Sequence, residues 1–70
     1  MLYRKLVKDL NSSLAILMND LERAEKSKLM FDLGEASGLL NAAAIFGMDS
    51  KELDHYEQII YALDELIKTK

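Results

Sequence analysis

The chain contains no cysteine, no proline and no tryptophan among its 70 residues, and it has a single histidine. The lack of cysteine excludes disulfides and thiolate metal sites, and it fits a reducing compartment. His55 alone cannot build a zinc site, which needs several protein ligands. We therefore expect neither a cofactor nor a metal. A chain this short has a marginal core, so a partner chain is the expected source of extra stability.

Long apolar runs are also missing. The longest uncharged stretch, Ala36–Met48, is shorter than the roughly 20 apolar residues that cross a bilayer and contains glycine and asparagine. Residues 1–10 do not resemble a signal peptide, because Arg4, Lys5 and Lys8 are not followed by a clean apolar segment. We expect a cytoplasmic protein with no membrane partner.

Charge is unevenly distributed along the chain, although its net value is only −3. Residues 1–28 carry six basic side chains against four acidic ones, whereas residues 29–67 carry eight acidic side chains against Lys51 alone. Such asymmetry favours oriented association with a charged partner. The alternative interpretation is a solvated acidic surface that only keeps the protein in solution.

Apolar residues near the N-terminus recur at the spacing of a helix-packing seam. Two rows with a spacing of seven form this seam: Tyr3, Leu10, Leu17 and Ala24 in one, and Val7, Leu14 and Leu21 in the other. A seam of this kind is covered by another helix, either in the same chain or in a second copy. We predict one helix from about Leu2 to Lys28, with a weak point at residues 11–13, where polar side chains compete for backbone hydrogen bonds.

A second helix is predicted to begin near Asp32, because Asp32 and Glu35 have the spacing of a capping box. Alternatively, residues 29–31 join the first two helices into one rod. Gly34 and Gly38 lie four residues apart and let two helix backbones approach closely, at a cost of roughly 1 kcal/mol each against alanine. We expect this close approach inside the chain or, as the alternative, at a dimer or partner interface.

The third helix follows a glycine turn. Gly47 suits the left-handed residue that ends a helix, and Asp49 or Ser50 would cap the next one, which should run from about Lys51 to Lys68. Half the residues are hydrophobic and few are β-branched, which favours helices throughout. We predict a single all-α domain over residues 1–70: a small helical bundle in which a long amphipathic N-terminal helix packs on an antiparallel helical hairpin.

Residues 43–56 resemble the helix-turn-helix of DNA-binding regulators. Ala43 stands where a small residue lets two helices cross, Gly47 stands at the turn, and Leu53 and Tyr56 stand where apolar residues anchor the recognition helix. The polar residues of that helix are mostly acidic, however, and include no arginine, so they would meet DNA phosphates with like charge. A DNA-binding transcriptional regulator is therefore an alternative, with nucleic acid disfavoured as a partner.

A second resemblance involves the run Leu-Asp-Glu-Leu-Ile at residues 63–67, which follows a turn at residues 47–50. This run resembles the end of the small sporulation phosphatases that act on response-regulator aspartyl phosphates. Those proteins carry a Ser-Gln pair before the Leu-Asp, where this chain has Ile60 and Tyr61, and they lack a long first helix. The resemblance implies an aspartyl-phosphate phosphatase and carries over only Asp64.

No catalytic constellation accompanies these patterns. His55 has Asp54 and Glu57 nearby in sequence, but residues one or two apart on a helix do not face each other, so we expect a solvent-facing histidine and no enzyme. We predict a small bacterial or phage regulator or inhibitor, a homodimer, that binds a protein with a basic surface and occludes its site. The predicted partner-binding residues are Glu52, Asp54, Glu57, Tyr61 and Asp64.

Overall fold

The computed structural model describes residues 2–70, and of Leu2 only the backbone. This part of the chain forms three helices and no strand: α1 spans Leu2–Asp20, α2 spans Lys26–Ile45 and α3 spans Ser50–Lys68. None of the three is long and apolar enough to cross a membrane. The predicted all-α bundle, with an N-terminal helix packed on a helical hairpin, is confirmed.

α2 lies between the other two helices and packs closely against both. Because the connections at residues 21–25 and 46–49 are short, consecutive helices run antiparallel, and α1 and α3 therefore run in the same direction. These two outer helices meet through long side chains: the Tyr56 hydroxyl donates a hydrogen bond to the side-chain oxygen of Asn11 at 2.7 Å. The overall extents of 36 × 18 × 15 Å fit helices about 30 Å long that lie side by side.

The core is one cluster to which all three helices contribute. The predicted seam supplies Leu10, Leu14 and Leu17, all of which are buried. The remaining buried apolar residues are Leu29, Leu33, Ala36, Leu40, Ala43, Met48, Tyr56, Leu63 and Ile67. The other members of the seam are partly buried against this cluster: Tyr3, Val7, Leu21 and Ala24. Helices of the same chain therefore cover the seam.

The predicted boundary between the first two helices is wrong. α1 ends at Asp20 rather than near Lys28, and α2 already begins at Lys26. The N–H group of Ala24 donates to the carbonyl of Asp20 at 2.9 Å and closes the turn between the two helices. This reversal lets Leu29 turn back into the core, where it is completely buried. A single straight helix would carry that side chain away from the α1 seam.

Asp32 does not cap a helix, so the predicted capping box is also wrong. It lies in the second turn of α2, where the Lys28 ammonium donates to its carboxylate at 3.0 Å. That hydrogen bond raises the pKa of Lys28 above its usual value. The same ammonium lies 3.8 Å from the carboxylate of Asp20, so it links the end of α1 to the start of α2. Since the lysine is well exposed, the link contributes little stability.

Gly47 ends α2 in the expected way, with a φ of +107°. The N–H group of the following Met48 donates to a carbonyl in the last turn of α2 at 3.1 Å, and its side chain is buried under the turn. Asp49 takes the N-cap position of α3 in an extended conformation, without a side-chain hydrogen bond to the helix. α3 then runs from Ser50 to Lys68, within one residue of the prediction.

We expect Tyr56→Phe to destabilise the fold by about 1 kcal/mol, because it removes the hydrogen bond to Asn11 and keeps the ring in the core. Urea unfolding followed by far-ultraviolet circular dichroism measures the change. Tyr61→Phe is the matched control, since Tyr61 is 67% exposed and its substitution should leave the midpoint unchanged. Identical midpoints for Tyr56→Phe and the wild type would contradict the expectation.

Candidate functional site

The five predicted partner-binding residues do not form one surface. Glu57, Tyr61 and Asp64 lie on the side of α3 that borders α2. Glu52 lies on another side of α3 and faces α1. Asp54 is exposed and lines neither of these two regions. The structure therefore brings three of the five residues together.

A groove with a volume of about 390 Å³ runs between α2 and α3, and we call it the α2/α3 groove. Three apolar side chains form its floor: Leu33, Leu40 and Ile60. Five polar or amphipathic side chains form its rim: Ser37, Asn41, Glu57, Tyr61 and Asp64. Among the described residues, two carboxylates line the groove, and no lysine or arginine lines it. The groove thus combines an apolar base with a negatively charged edge.

Helical spacing explains how α3 supplies its side of the rim. Glu57, Tyr61 and Asp64 recur at positions i, i+4 and i+7, so their side chains share one face of the helix. The neighbouring face carries Leu63 and Ile67, which are buried and fix the rotation of α3 against the core. The rim is therefore positioned by residues that the hydrophobic core holds in place.

The two carboxylates of the rim differ in their surroundings. The Lys68 ammonium lies 3.0 Å from the carboxylate of Asp64, one helical turn away. A hydrogen bond to this carboxylate raises the pKa of Lys68, and the positive charge of the ammonium partly neutralises Asp64. Glu57 has no ion-pair partner among residues 2–70. Of the two carboxylates of the rim, Glu57 is therefore the one without an ion pair in the described chain.

Tyr61 gives the rim an aromatic contact. Its side chain is 67% exposed, in contrast to Tyr56 on the same helix, which is only 8% exposed. Tyrosine offers a large apolar area and a hydroxyl at low conformational cost, and it is enriched among the residues that dominate binding energies. An exposed tyrosine beside an apolar groove is therefore a natural contact for a protein partner.

A second groove, of about 580 Å³, lies between α1 and α3. Arg4 and Lys8 line it from α1, and Glu52 lines it from α3. The charge asymmetry of the sequence thus becomes a spatial one: basic side chains border the α1/α3 side, and carboxylates border the α2/α3 groove. A basic partner would be drawn to the α2/α3 groove and repelled by Arg4 and Lys8.

The segment that resembles a helix-turn-helix forms a tight helical hairpin, with Ala43 and Tyr56 buried. His55 is exposed, and its ring lies edge-on to Tyr56 with the ring centroids 5.5 Å apart. Across residues 2–70, no group of His, Cys, Asp and Glu side chains is arranged to hold a metal ion. The polar side chains of this hairpin that the structure exposes include Asp54 and Glu57, both acidic.

Gly34 and Gly38 do not pack inside the chain. Both are exposed, and a Cβ atom added to either would have no neighbouring atom within 4 Å. The expectation of close helix packing within the chain therefore does not hold for these two glycines. The same side of α2 carries Phe31, which is 67% exposed, and Ile45, which is 81% exposed.

The sequence interpretation missed the contributions of α2. Ser37 and Asn41 line the groove, and their spacing of four within an otherwise apolar segment was the available signal. The exposure of Phe31 and Ile45 was also missed. The signal there was that α2 has apolar residues on every side, whereas a surface helix normally has them on one.

Comparison with models of protein families, with curated proteins and with solved structures finds no match to this chain. The two resemblances seen at residues 43–56 and 63–67 therefore stay interpretations of the sequence.

Proposed function

We propose that this protein is a non-catalytic cytoplasmic regulator or inhibitor that binds another protein through the α2/α3 groove. The occupant is a helix or loop of the partner that presents lysine or arginine beside apolar side chains. The observation that carries the proposal is the apolar floor of the groove next to the carboxylate of Glu57, which has no ion-pair partner in the described chain.

The two parts of the groove have different roles in this proposal. Apolar contact with the ring of Tyr61 and with Ile60 supplies most of the affinity, because burial of apolar area drives most protein association and Leu33 and Leu40 are already buried in the single chain. Glu57 and Asp64 orient the partner and accelerate its approach, as charges at an interface rim generally do. Inhibition follows by occlusion, since a basic segment held in the groove is not free to bind its anionic ligand.

We expect the double variant Glu57→Lys/Asp64→Lys to weaken partner binding at least about tenfold, because two attractive contacts become repulsive. Affinity capture from the cells that produce the protein identifies the partner by mass spectrometry. Titration calorimetry with the purified partner then gives the dissociation constant at two salt concentrations. The wild-type affinity should fall as salt rises, because these charges lie near the surface.

Glu22→Lys/Glu65→Lys is the matched control, because it makes the same change in net charge at exposed positions outside the groove. This variant should bind the partner with nearly wild-type affinity, and circular dichroism should show both variants folded. Equal affinities for the groove variant and the wild type would rule out the groove as the binding site.

The same groove variant separates the proposal from the DNA-binding alternative. Added lysines strengthen binding to phosphates, so a DNA-binding protein would retard DNA more strongly after Glu57→Lys/Asp64→Lys. We expect the wild type to leave genomic fragments unretarded in a mobility-shift titration at low salt. Retardation that salt reverses would replace the proposal with the helix-turn-helix alternative.

An assay with a response-regulator aspartyl phosphate tests the phosphatase alternative, which predicts activity that Asp64→Asn removes.

A further inference from the structure

The groove between α1 and α3 is larger than the α2/α3 groove, and its charge has the opposite sign. We call it the α1/α3 groove, and its volume is about 580 Å³. Three hydrogen-bond donors of α1 line it: Arg4, Lys8 and Ser12. They recur every four residues, so they follow one face of the helix over about 12 Å. Among the described residues of α1, no acidic one lines the groove, because Asp9 lies on another side of the helix.

The two cations of the α1/α3 groove are not neutralised within the described chain. Arg4 and Lys8 are exposed and have no ion-pair partner among residues 2–70. Like charges one helical turn apart repel each other. Glu52 of α3 lines the opposite wall of the groove, yet it forms an ion pair with neither cation. An anion placed beside α1 would therefore relieve a repulsion that the single chain leaves in place.

Asn11 adds a donor to the groove, and the core determines its orientation. The side-chain oxygen of Asn11 accepts the hydrogen bond from the Tyr56 hydroxyl at 2.7 Å, and Tyr56 is itself buried. The NH₂ group of Asn11 is left without a hydrogen-bond partner among residues 2–70. Because Asn11 lines the groove, this group is a positioned donor that a ligand can use.

We propose that the α1/α3 groove binds an acidic, extended segment of a protein partner, with two carboxylates of the segment beside Arg4 and Lys8. Charge complementarity favours this occupant, because the lining combines two cations with one carboxylate among the described residues. The spacing fits as well. Arg4 and Lys8 are about 6 Å apart along the helix, and alternate residues of an extended chain are about 6.6 Å apart. Backbone carbonyls of the segment accept hydrogen bonds from Asn11 and Ser12.

The form of the groove favours a peptide segment over other anions. All four polar side chains that α1 contributes are exposed, so the groove is a surface channel, whereas small-molecule sites usually enclose their ligand. A nucleic acid would bring a continuous line of phosphates against Glu52 and against a chain with a net charge of −3. Tyr3 and Val7 are partly buried in the lining and offer apolar contact to the side chains of a peptide.

This site is distinct from the α2/α3 groove, because no described residue lines both. A protein with both grooves holds a basic segment on one side of α3 and an acidic segment on another. Two contacts of opposite sign orient a bound protein more strictly than one. The two proposals also fail independently, since they depend on different residues.

Titration with a model peptide, followed by nuclear magnetic resonance of the ¹⁵N-labelled protein, tests the proposal. The probe is a blocked hexapeptide in which glutamate and valine alternate. The backbone amide signals of residues 4–12 and of Glu52 should shift and saturate, with a dissociation constant of about 1 mM or below. The constant should rise with salt, because the charges are exposed. Arg4→Glu/Lys8→Glu should raise it at least about tenfold, since two attractive contacts become repulsive.

Arg23→Glu/Lys26→Glu is the matched control. It makes the same change in net charge at an exposed arginine and an exposed lysine beyond the C-terminal end of α1. This variant should bind the peptide with nearly wild-type affinity, and circular dichroism should show both double variants folded. Glu52→Gln gives a readout of the opposite sign: it removes the one repulsive carboxylate of the described lining and should tighten binding about threefold.

Three results overturn the proposal: no saturable shifts up to about 10 mM peptide, shifts centred outside the α1/α3 groove, or equal losses of affinity in the groove and control variants. The corresponding hexapeptide of lysine and valine separates these results from a failure of the α2/α3 groove. It should shift the signals of Glu57, Tyr61 and Asp64 and leave those of residues 4–12 unchanged.

Discussion

Leu17→Ala is expected to leave the protein largely unfolded at room temperature. The Leu17 side chain is completely buried in the contact between α1 and the rest of the core. Truncation of a buried leucine costs about 2–5 kcal/mol. The core of a chain this short rarely supplies more than about 3–5 kcal/mol of total stability. The loss therefore equals most of the free energy of unfolding of the wild type. Thermal and urea unfolding followed by circular dichroism should show it.

Ile16→Ala provides the control for this experiment, because Ile16 is the adjacent residue on α1 and is 58% exposed. Its substitution removes an apolar side chain of similar size without opening a cavity. We expect the free energy of unfolding to change by less than about 1 kcal/mol. A Leu17→Ala variant as stable as Ile16→Ala would show that the α1 seam is not the core of this fold.

Gly47→Val has the second large expected effect, a loss of about 1–3 kcal/mol. Gly47 has a φ of +107°, a backbone conformation that residues with a side chain rarely adopt. A Cβ atom at this position would meet nothing within 4 Å, so the cost comes from the backbone alone. The turn between α2 and α3 must then distort or the helix ends must fray. Urea unfolding measures the loss.

Gly34→Val is the matched substitution, since Gly34 lies within α2 with equally open space around it. Valine and glycine differ little in helix propensity, so the free energy of unfolding should stay within about 0.5 kcal/mol of the wild type. If Gly47→Val proved as stable as Gly34→Val, the left-handed backbone would have no part in shaping the turn.

The sequence predicted the parts of the fold that depend on local signals. Gly47 marks a turn by its conformational freedom alone, and the predicted α3 therefore agrees with the structure to within one residue. The spacing of Leu10, Leu14 and Leu17 predicts a buried face, and all three side chains are buried. Signals of this kind depend only on the order of neighbouring residues.

The turn between α1 and α2 could not be predicted in this way. No glycine or proline marks residues 21–25, and Leu21 and Ala24 continue the apolar spacing of the α1 seam across the turn. Contacts distant in sequence form there instead: Leu29 enters the core, and the exposed Lys70 ammonium donates to the carbonyls of Leu21 and Ala24 at 2.6 and 3.0 Å. Such contacts exist only once the bundle has formed, so no local pattern contains them.

The candidate site was predictable in its chemistry and only partly in its geometry. Charge and spacing singled out Glu57, Tyr61 and Asp64 on α3. Glu52 was grouped with them because it is acidic and close in sequence, yet it turns towards α1. The packing of the three helices determines which side of α3 faces α1 and which side faces α2. The same packing places Asn41 of α2 in the rim of the groove.

The central position of α2 has a consequence for how this chain can change. α2 contacts α1 on one flank and α3 on another, so its buried residues belong to two helix contacts at once. Few substitutions of the buried residues of α2 can therefore be neutral. The solvent sides of α1 and α3 have no such restriction, so new recognition properties can arise there while the bundle stays intact. A library that randomises the rim on α3 and keeps α2 fixed would use the protein as a small binding scaffold.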